Sequence, residues 1–103
     1  MNPPLSPLQP ARLEAFEEGE GALKLALSGE LTGPAVAPAW RQAQERLRSR
    51  PPRRLTVDVS AVPAADGAGV GLLVDLQRLA AQLGASFELR GAGRQVRGLL
   101  ELY

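Results

Sequence analysis

The chain has 103 residues, 22% of them charged, and a formal net charge of +1, so it is one small domain with no overall field to draw in nucleic acid or an acidic partner. It holds neither cysteine nor histidine, which removes disulfides, thiolate metal sites, the commonest general base and the commonest metal ligand. No apolar run approaches the roughly 20 residues of a membrane span, and the N-terminus has no basic-then-apolar signal pattern; the expectation is a soluble, cytosolic chain without cofactor or metal that is not an enzyme.

Residues 1–10 carry Pro3, Pro4, Pro7 and Pro10 and read as a flexible, extended leader that Leu5 and Leu8 can pin against the domain. The domain itself spans 11–103. Ala11 to Glu17 alternates Leu13 and Ala15 with Arg12 and Glu14, the pattern of an edge strand. Glu18-Gly19-Glu20-Gly21 supplies a turn, and Ala22 to Leu31 a stronger strand with Leu23, Leu25 and Leu27 facing one way. The two form a hairpin.

A helix follows, with Thr32 or Gly33 as N-cap and Pro34 in its first turn. Val36, Trp40, Ala43 and Leu47 fall on one stripe, which assigns Trp40 to packing. Ser49-Arg50-Pro51-Pro52 ends the helix, because proline cannot continue the hydrogen-bond ladder. Leu55, Val57 and Val59 alternate with Thr56 and Asp58 in a half-buried strand. Asp66 then caps a long helix, about Gly67 to Leu83, whose stripe is Val70, Leu73, Leu76, Leu79, Ala80 and Leu83, with Gly84 as its C′ residue. Ser86 to Arg90 is a last strand with Phe87 and Leu89 inward, and Gly91-Ala92-Gly93 leads into a final helix carrying Val96, Leu99, Leu100 and Tyr103.

The order β-β-α-β-α-β-α predicts an α/β domain with a four-stranded mixed sheet. A parallel sheet covered on both faces has continuously apolar strands, whereas these alternate, so the helices lie mainly on one face and the strands run in sequential order. Lys24, Ser28, Thr56, Asp58, Glu88 and Arg90 mark the opposite, wet face.

Gly67, Gly69 and Gly71 leave the start of the long helix almost without side chains, which serves either close packing or the close approach of something else. A phosphate cradle is the weaker reading: P-loop lysine and Ser/Thr are missing, and Asp66 repels phosphate. Asp58 and Asp66 make no acid/base pair, since nothing nearby pushes their pKa values apart. The run Arg41, Arg46, Arg48, Arg50, Arg53, Arg54 has no interleaved aromatics for nucleic acid and reads as a solvated helix end with capacity for weak contact with anionic lipid. The Glu14, Glu17, Glu18, Glu20 cluster reads as solvent decoration.

The element order, with Gly29-Glu30-Leu31-Thr32 after the second strand and Val57-Asp58-Val59-Ser60 … Asp66-Gly67-Ala68-Gly69-Val70 before the long helix, resembles the STAS domain. Leu89-Arg90-Gly91, Val96 and Leu99-Leu100-Glu101-Leu102-Tyr103 resemble the STAS type of bacterial Mla-like lipid-transport ABC systems. There the domain is a small separate subunit or the N-terminal extension of the permease and contacts the cytoplasmic ATPase. The resemblance implies a non-catalytic interaction module at the cytoplasmic face of the inner membrane. It implies a partner surface of Val62, Asp66, Gly67, Ala68, Gly71, Val74, Asp75 and Arg78, with the ATPase or permease as partner. The alternative is an anti-sigma factor antagonist-like regulator that binds a kinase-like partner. Such antagonists carry a phosphorylatable Ser or Thr directly after the aspartate. Gly67 and Ala68 stand there instead and have no hydroxyl to phosphorylate.

Overall fold

Alternation decides which way each strand faces. In β2 (Ala22–Ser28) and β3 (Arg54–Ala61), Leu23, Leu25, Leu27, Leu55, Val57 and Val59 are all at most 2% exposed, while Lys24, Thr56 and Asp58 between them are partly open to solvent. The computed structural model describes residues 11–100, without the side chains of Gln95, Leu99 and Leu100. The leader 1–10 and the expectations on Leu99, Leu100 and Tyr103 lie outside what is described.

β1 (Arg12–Glu17) and β4 (Ser86–Arg90) complete the sheet in the order β1-β2-β3-β4. β1 runs antiparallel to β2, and β2, β3 and β4 run parallel. A one-turn 3₁₀ segment (Gly33–Ala35) leads into α1 (Val36–Ser49), followed by α2 (Gly67–Gln82) and α3 (Arg94–Leu100). The buried half of each strand meets the apolar stripes of these helices, and the register stacks polar rows on the other half. Phe16, Lys24, Thr56 and Glu88 form one row; Glu14, Ala26, Asp58 and Arg90 form the next.

Two details differ from the sequence reading. The second strand ends at Ser28, three residues short of Leu31, because Gly29 takes a positive φ of 80° and the register shifts between Ala26 and Ser28. Leu31 rejoins as a single parallel bridge to Ala65 and is fully buried. In α1 the buried residues are Ala39, Ala43 and Leu47, with Val36 and Trp40 only half-buried at the rim. Ala39 is small enough to bring the helix down on the sheet, and an indole at the centre of that contact would hold it away.

The long helix ends as its sequence requires. Gly84 at φ 77° lets its N–H donate to the Ala81 carbonyl (3.1 Å) and the Ala85 N–H to the Ala80 carbonyl (2.8 Å), the paired bonds of a Schellman stop. Among the described residues the core cluster is built of Leu, Val and Ala, with Pro52 buried besides; no polar or charged residue is buried, and no aromatic ring enters the core. Phe16 is the large hydrophobic left exposed, at 43%.

Candidate protein-docking site

The loop that closes β3 and opens α2 is anchored before α2 begins. The Leu31 N–H donates to the Ala64 carbonyl (3.1 Å) and the Asp66 N–H to the Leu31 carbonyl (3.2 Å). Asp66 is the N-cap of α2, and its Oδ1 accepts from the Gly69 N–H at 3.0 Å. Its Oδ2 accepts from the Gly33 N–H, also at 3.0 Å. One carboxylate thus caps α2 and ties it to the segment entering α1. Both bonds favour the charged form, the Gly69 N–H first, and hold the Asp66 carboxyl below the ordinary carboxylate range.

The glycines divide by role. A Cβ on Gly69 would collide with the Leu31 carbonyl oxygen and sit 2.8 Å from the Leu31 Cβ. That glycine serves close packing inside the chain. A Cβ on Gly71 would meet nothing within 4 Å, so the surface there is open. Gly67, Ala68, Asp75 and Arg78 are exposed, and Gly71 and Val74 half-buried, along the outward side of α2. Val62 lies half-buried in the preceding loop, packed against the core, with its N–H donating to the Val59 carbonyl (3.0 Å). The expected surface residues on α2 therefore share its outward side, with Val62 and Asp66 in the loop before it. Asp66 lies among them with its carboxylate already engaged by this chain's own backbone.

What borders this surface does not follow from helical periodicity. A groove of about 290 Å³ between α1 and α2 is lined by Trp40, Arg48, Asp75, Arg78, Leu79 and Gln82. Trp40, which the sequence assigns to the stripe, forms one wall of it. The available signal is that Trp40 and Arg48 lie eight residues apart, close to one helix face.

At the far end of the domain, Glu17 Oε1 accepts from Arg50 Nη1 at 2.8 Å and Arg46 Nη2 at 3.4 Å. One member of the carboxylate cluster and two of the arginine run thus join the hairpin to the end of α1 instead of merely facing water. Exposed pairs of this kind contribute about 0–1 kcal/mol each. Asp58 accepts from the Ser60 N–H at 2.9 Å. The Ser60 hydrogen bonds come first, with Lys24 and Arg90 adding to them, in keeping its carboxyl low. Both shifted carboxylates are thus weaker bases than a free aspartate, the opposite of the tuning a general base needs. No group of three or more metal-ligating side chains occurs among the described residues, and no described helix is long and apolar enough to cross a membrane.

A sequentially ordered mixed sheet, helices on one face and an aspartate-capped helix behind a loop at the parallel strand ends define a STAS-type α/β domain. The chain belongs to that family: the family described as "Mlab, STAS domain" matches residues 14–103. It is 34% identical over 79 residues to the intermembrane phospholipid transport system binding protein MlaB of Escherichia coli, covering 77% of each chain. The MlaB of Shigella flexneri matches to the same extent. Among solved structures, the fold is shared with phosphorylated SpoIIAA of Bacillus (TM-score 0.73, 15% identity, 88% of this chain and 82% of that one). It is shared too with an RsbS variant of Moorella thermoacetica (TM-score 0.75, 22% identity, 88% and 76%).

The Asp66 capping has a measurable consequence. Asp66→Ala removes both acceptors and Asp66→Asn leaves one, so urea midpoints near neutral pH fall in the order wild type, Asn, Ala. Because the folded state depresses this pKa, its stabilisation is present above the unfolded value of about 3.9 and is lost as the pH falls through the lower folded value. The gap between wild type and Asp66→Ala therefore narrows below about pH 4. A gap that stays constant down to acid-denaturing conditions shows that the charge is not what holds the two segments.

Proposed function

We propose that this chain is a non-catalytic docking module of a bacterial lipid-transport ABC system, seated on the cytoplasmic ATPase through the outward side of α2 and the loop before it. The observation that carries the reading is the open, small-residue start of α2, rigidly capped yet uncovered, beside a groove that offers Trp40 and two arginines. Small residues allow another backbone to approach closely, and tryptophan and arginine are the side chains that most often dominate binding energy. The likeness to MlaB, named for a phospholipid transport system, supplies the class of partner.

In this reading the chain acts by affinity alone. With Gly67 and Ala68 where a phosphorylatable residue would stand, no covalent switch operates at this surface. A difference in affinity between the ATPase's conformations stabilises one of them. The place of action is the cytoplasmic face of the inner membrane. If the domain is the N-terminal part of a permease, the same contact becomes intramolecular and gains from effective concentration.

The test is capture. The tagged chain, expressed with the ATPase and permease of its own transport system, retains the ATPase through size exclusion. A kinase-like protein retained in its place overturns the proposal in favour of an anti-sigma antagonist-like role, and so does an ATPase that elutes separately.

A further inference from the structure

Among the described residues β4 has a strand on one side only, since β3 lies against it and the order of the sheet ends there. Ser86 turns its N–H toward β3, donating to the Arg53 carbonyl at 2.9 Å. Alternation along a parallel strand sends the N–H and carbonyl groups of Glu88 and Arg90 the same way. Those of Phe87 and Leu89 therefore point out of the sheet edge. Their side chains pack on the core yet remain half-buried, so an apolar strip runs beside the free backbone groups. The opposite edge differs, because the core-facing Leu13 of β1 is buried. β4 also carries neither proline nor lysine, and its register with β3 runs without a shift, so three common devices that keep an edge unpaired are missing.

We infer that this edge takes the same edge of a second copy, β4 against β4 antiparallel, with Leu89 on the two-fold axis. Charge and register select that arrangement. An axis perpendicular to the sheet keeps both sets of helices on one side, and residues facing one another across the pair then share a side of the sheet. Centring the pair on Glu88 sets two carboxylates on each other, and centring it on Arg90 sets two guanidiniums together. Centring it on Ser86 or Phe87 leaves Glu88 and Arg90 with no opposite charge. Centring it on Leu89 places Glu88 of each copy opposite Arg90 of the other, twice over. The outward N–H and carbonyl of Leu89 then meet their own counterparts in a hydrogen-bonded pair. Glu88 and Arg90 fall in the neighbouring non-hydrogen-bonded pairs, whose Cα atoms approach to about 4.5 Å. Within one chain Arg90 Nη2 already lies 3.2 Å from Glu88 Oε2, so pairing completes a square of alternating charges. On the helix side, Phe87 and Leu89 of the two copies join into one apolar strip across the axis. Growth in the plane of the sheet leaves the outward side of α2 uncovered, so the inference does not rest on the docking reading.

Sedimentation equilibrium of the full chain tests this. The weight-average mass is expected to rise with concentration from 10.9 kDa toward twice that value, over a series reaching about 1 mM. Glu88→Arg alone and Arg90→Glu alone, both at exposed positions, turn two attractive pairs into two repulsive ones. Each is expected to weaken association by about tenfold or more. Glu88→Arg combined with Arg90→Glu restores the alternation in this register and is expected to return the dissociation constant to within about threefold of wild type. A wild-type mass that stays at 10.9 kDa throughout overturns the inference. So does association that the single reversals leave unchanged, or that the double exchange fails to recover. Amide hydrogen exchange gives a second reading, in which the Leu89 N–H is expected to slow as concentration rises. No slowing as the mass rises places the contact elsewhere and overturns the inference. Slowing only when another protein is added assigns the edge to that protein and overturns it as well.

Discussion

Gly69→Ala is expected to lower the unfolding free energy by about 1–3 kcal/mol, the range for forcing a methyl group into a packed interior. The cost falls here because the added Cβ meets the carbonyl and Cβ of Leu31, a residue held in place by the Ala64 carbonyl and the Asp66 N–H. Backbone tied at both sides cannot swing away as the end of a lysine would. The same substitution two residues on has the opposite sign. Gly71→Ala adds its methyl to open space and replaces the poorest non-proline helix former with the best, a gain of about 1 kcal/mol. Chemical denaturation of the two variants beside wild type decides the matter. If both are destabilising, the open surface at Gly71 is wrong; if both are stabilising, so is the close approach at Gly69.

Gly71→Arg is expected to abolish ATPase capture while leaving the domain folded. Arginine is a good helix former and its stem projects into solvent, so stability should rise by somewhat less than the gain of about 1 kcal/mol expected for Gly71→Ala, and not fall. On a surface whose small residues admit another backbone, a guanidinium on a long stem blocks approach. A loss of about 30-fold in affinity, or roughly 2 kcal/mol, is the scale of a hot-spot disruption. Ser86→Arg, exposed at the start of β4 beyond the C-terminal end of α2 and so at the opposite end of that helix from Gly71, serves as the control. Undiminished capture by Gly71→Arg places the contact elsewhere on the molecule.

Local signals carried most of the fold. Asp66 and Gly84 bracket α2 because a capping carboxylate and a positive-φ stop depend on residues within one turn. Strict alternation in β2 and β3 foretells one covered face, and with it the strand order. The phase of α1 escaped because periodicity weights the largest apolar side chain, whereas helix-on-sheet contact favours Ala39 over Trp40. The early end of β2 turned on Gly29, whose conformation no neighbour announces. For the site, the sequence named residues that lie along the outward side of α2 and in the loop before it, but not the bonds that hold them there. The Gly33 N–H on Asp66 comes from 33 residues away, and Glu17 meets Arg46 across 29. Sequence spacing carries no record of such pairs, which exist only once the sheet has brought its ends together.

The absence of any ring from the core of the described residues has an evolutionary consequence. An interior of leucine, valine and alanine is specified by pattern and total volume, and exchanges among aliphatic residues of similar size typically cost less than about 1.5 kcal/mol. No single bulky piece has to be kept for the others to fit. Such an interior can drift through many neutral exchanges while the backbone stays in place, which leaves selection acting mainly on caps, turns and contact surfaces. Chains of this architecture can therefore diverge until few residues coincide and still superimpose.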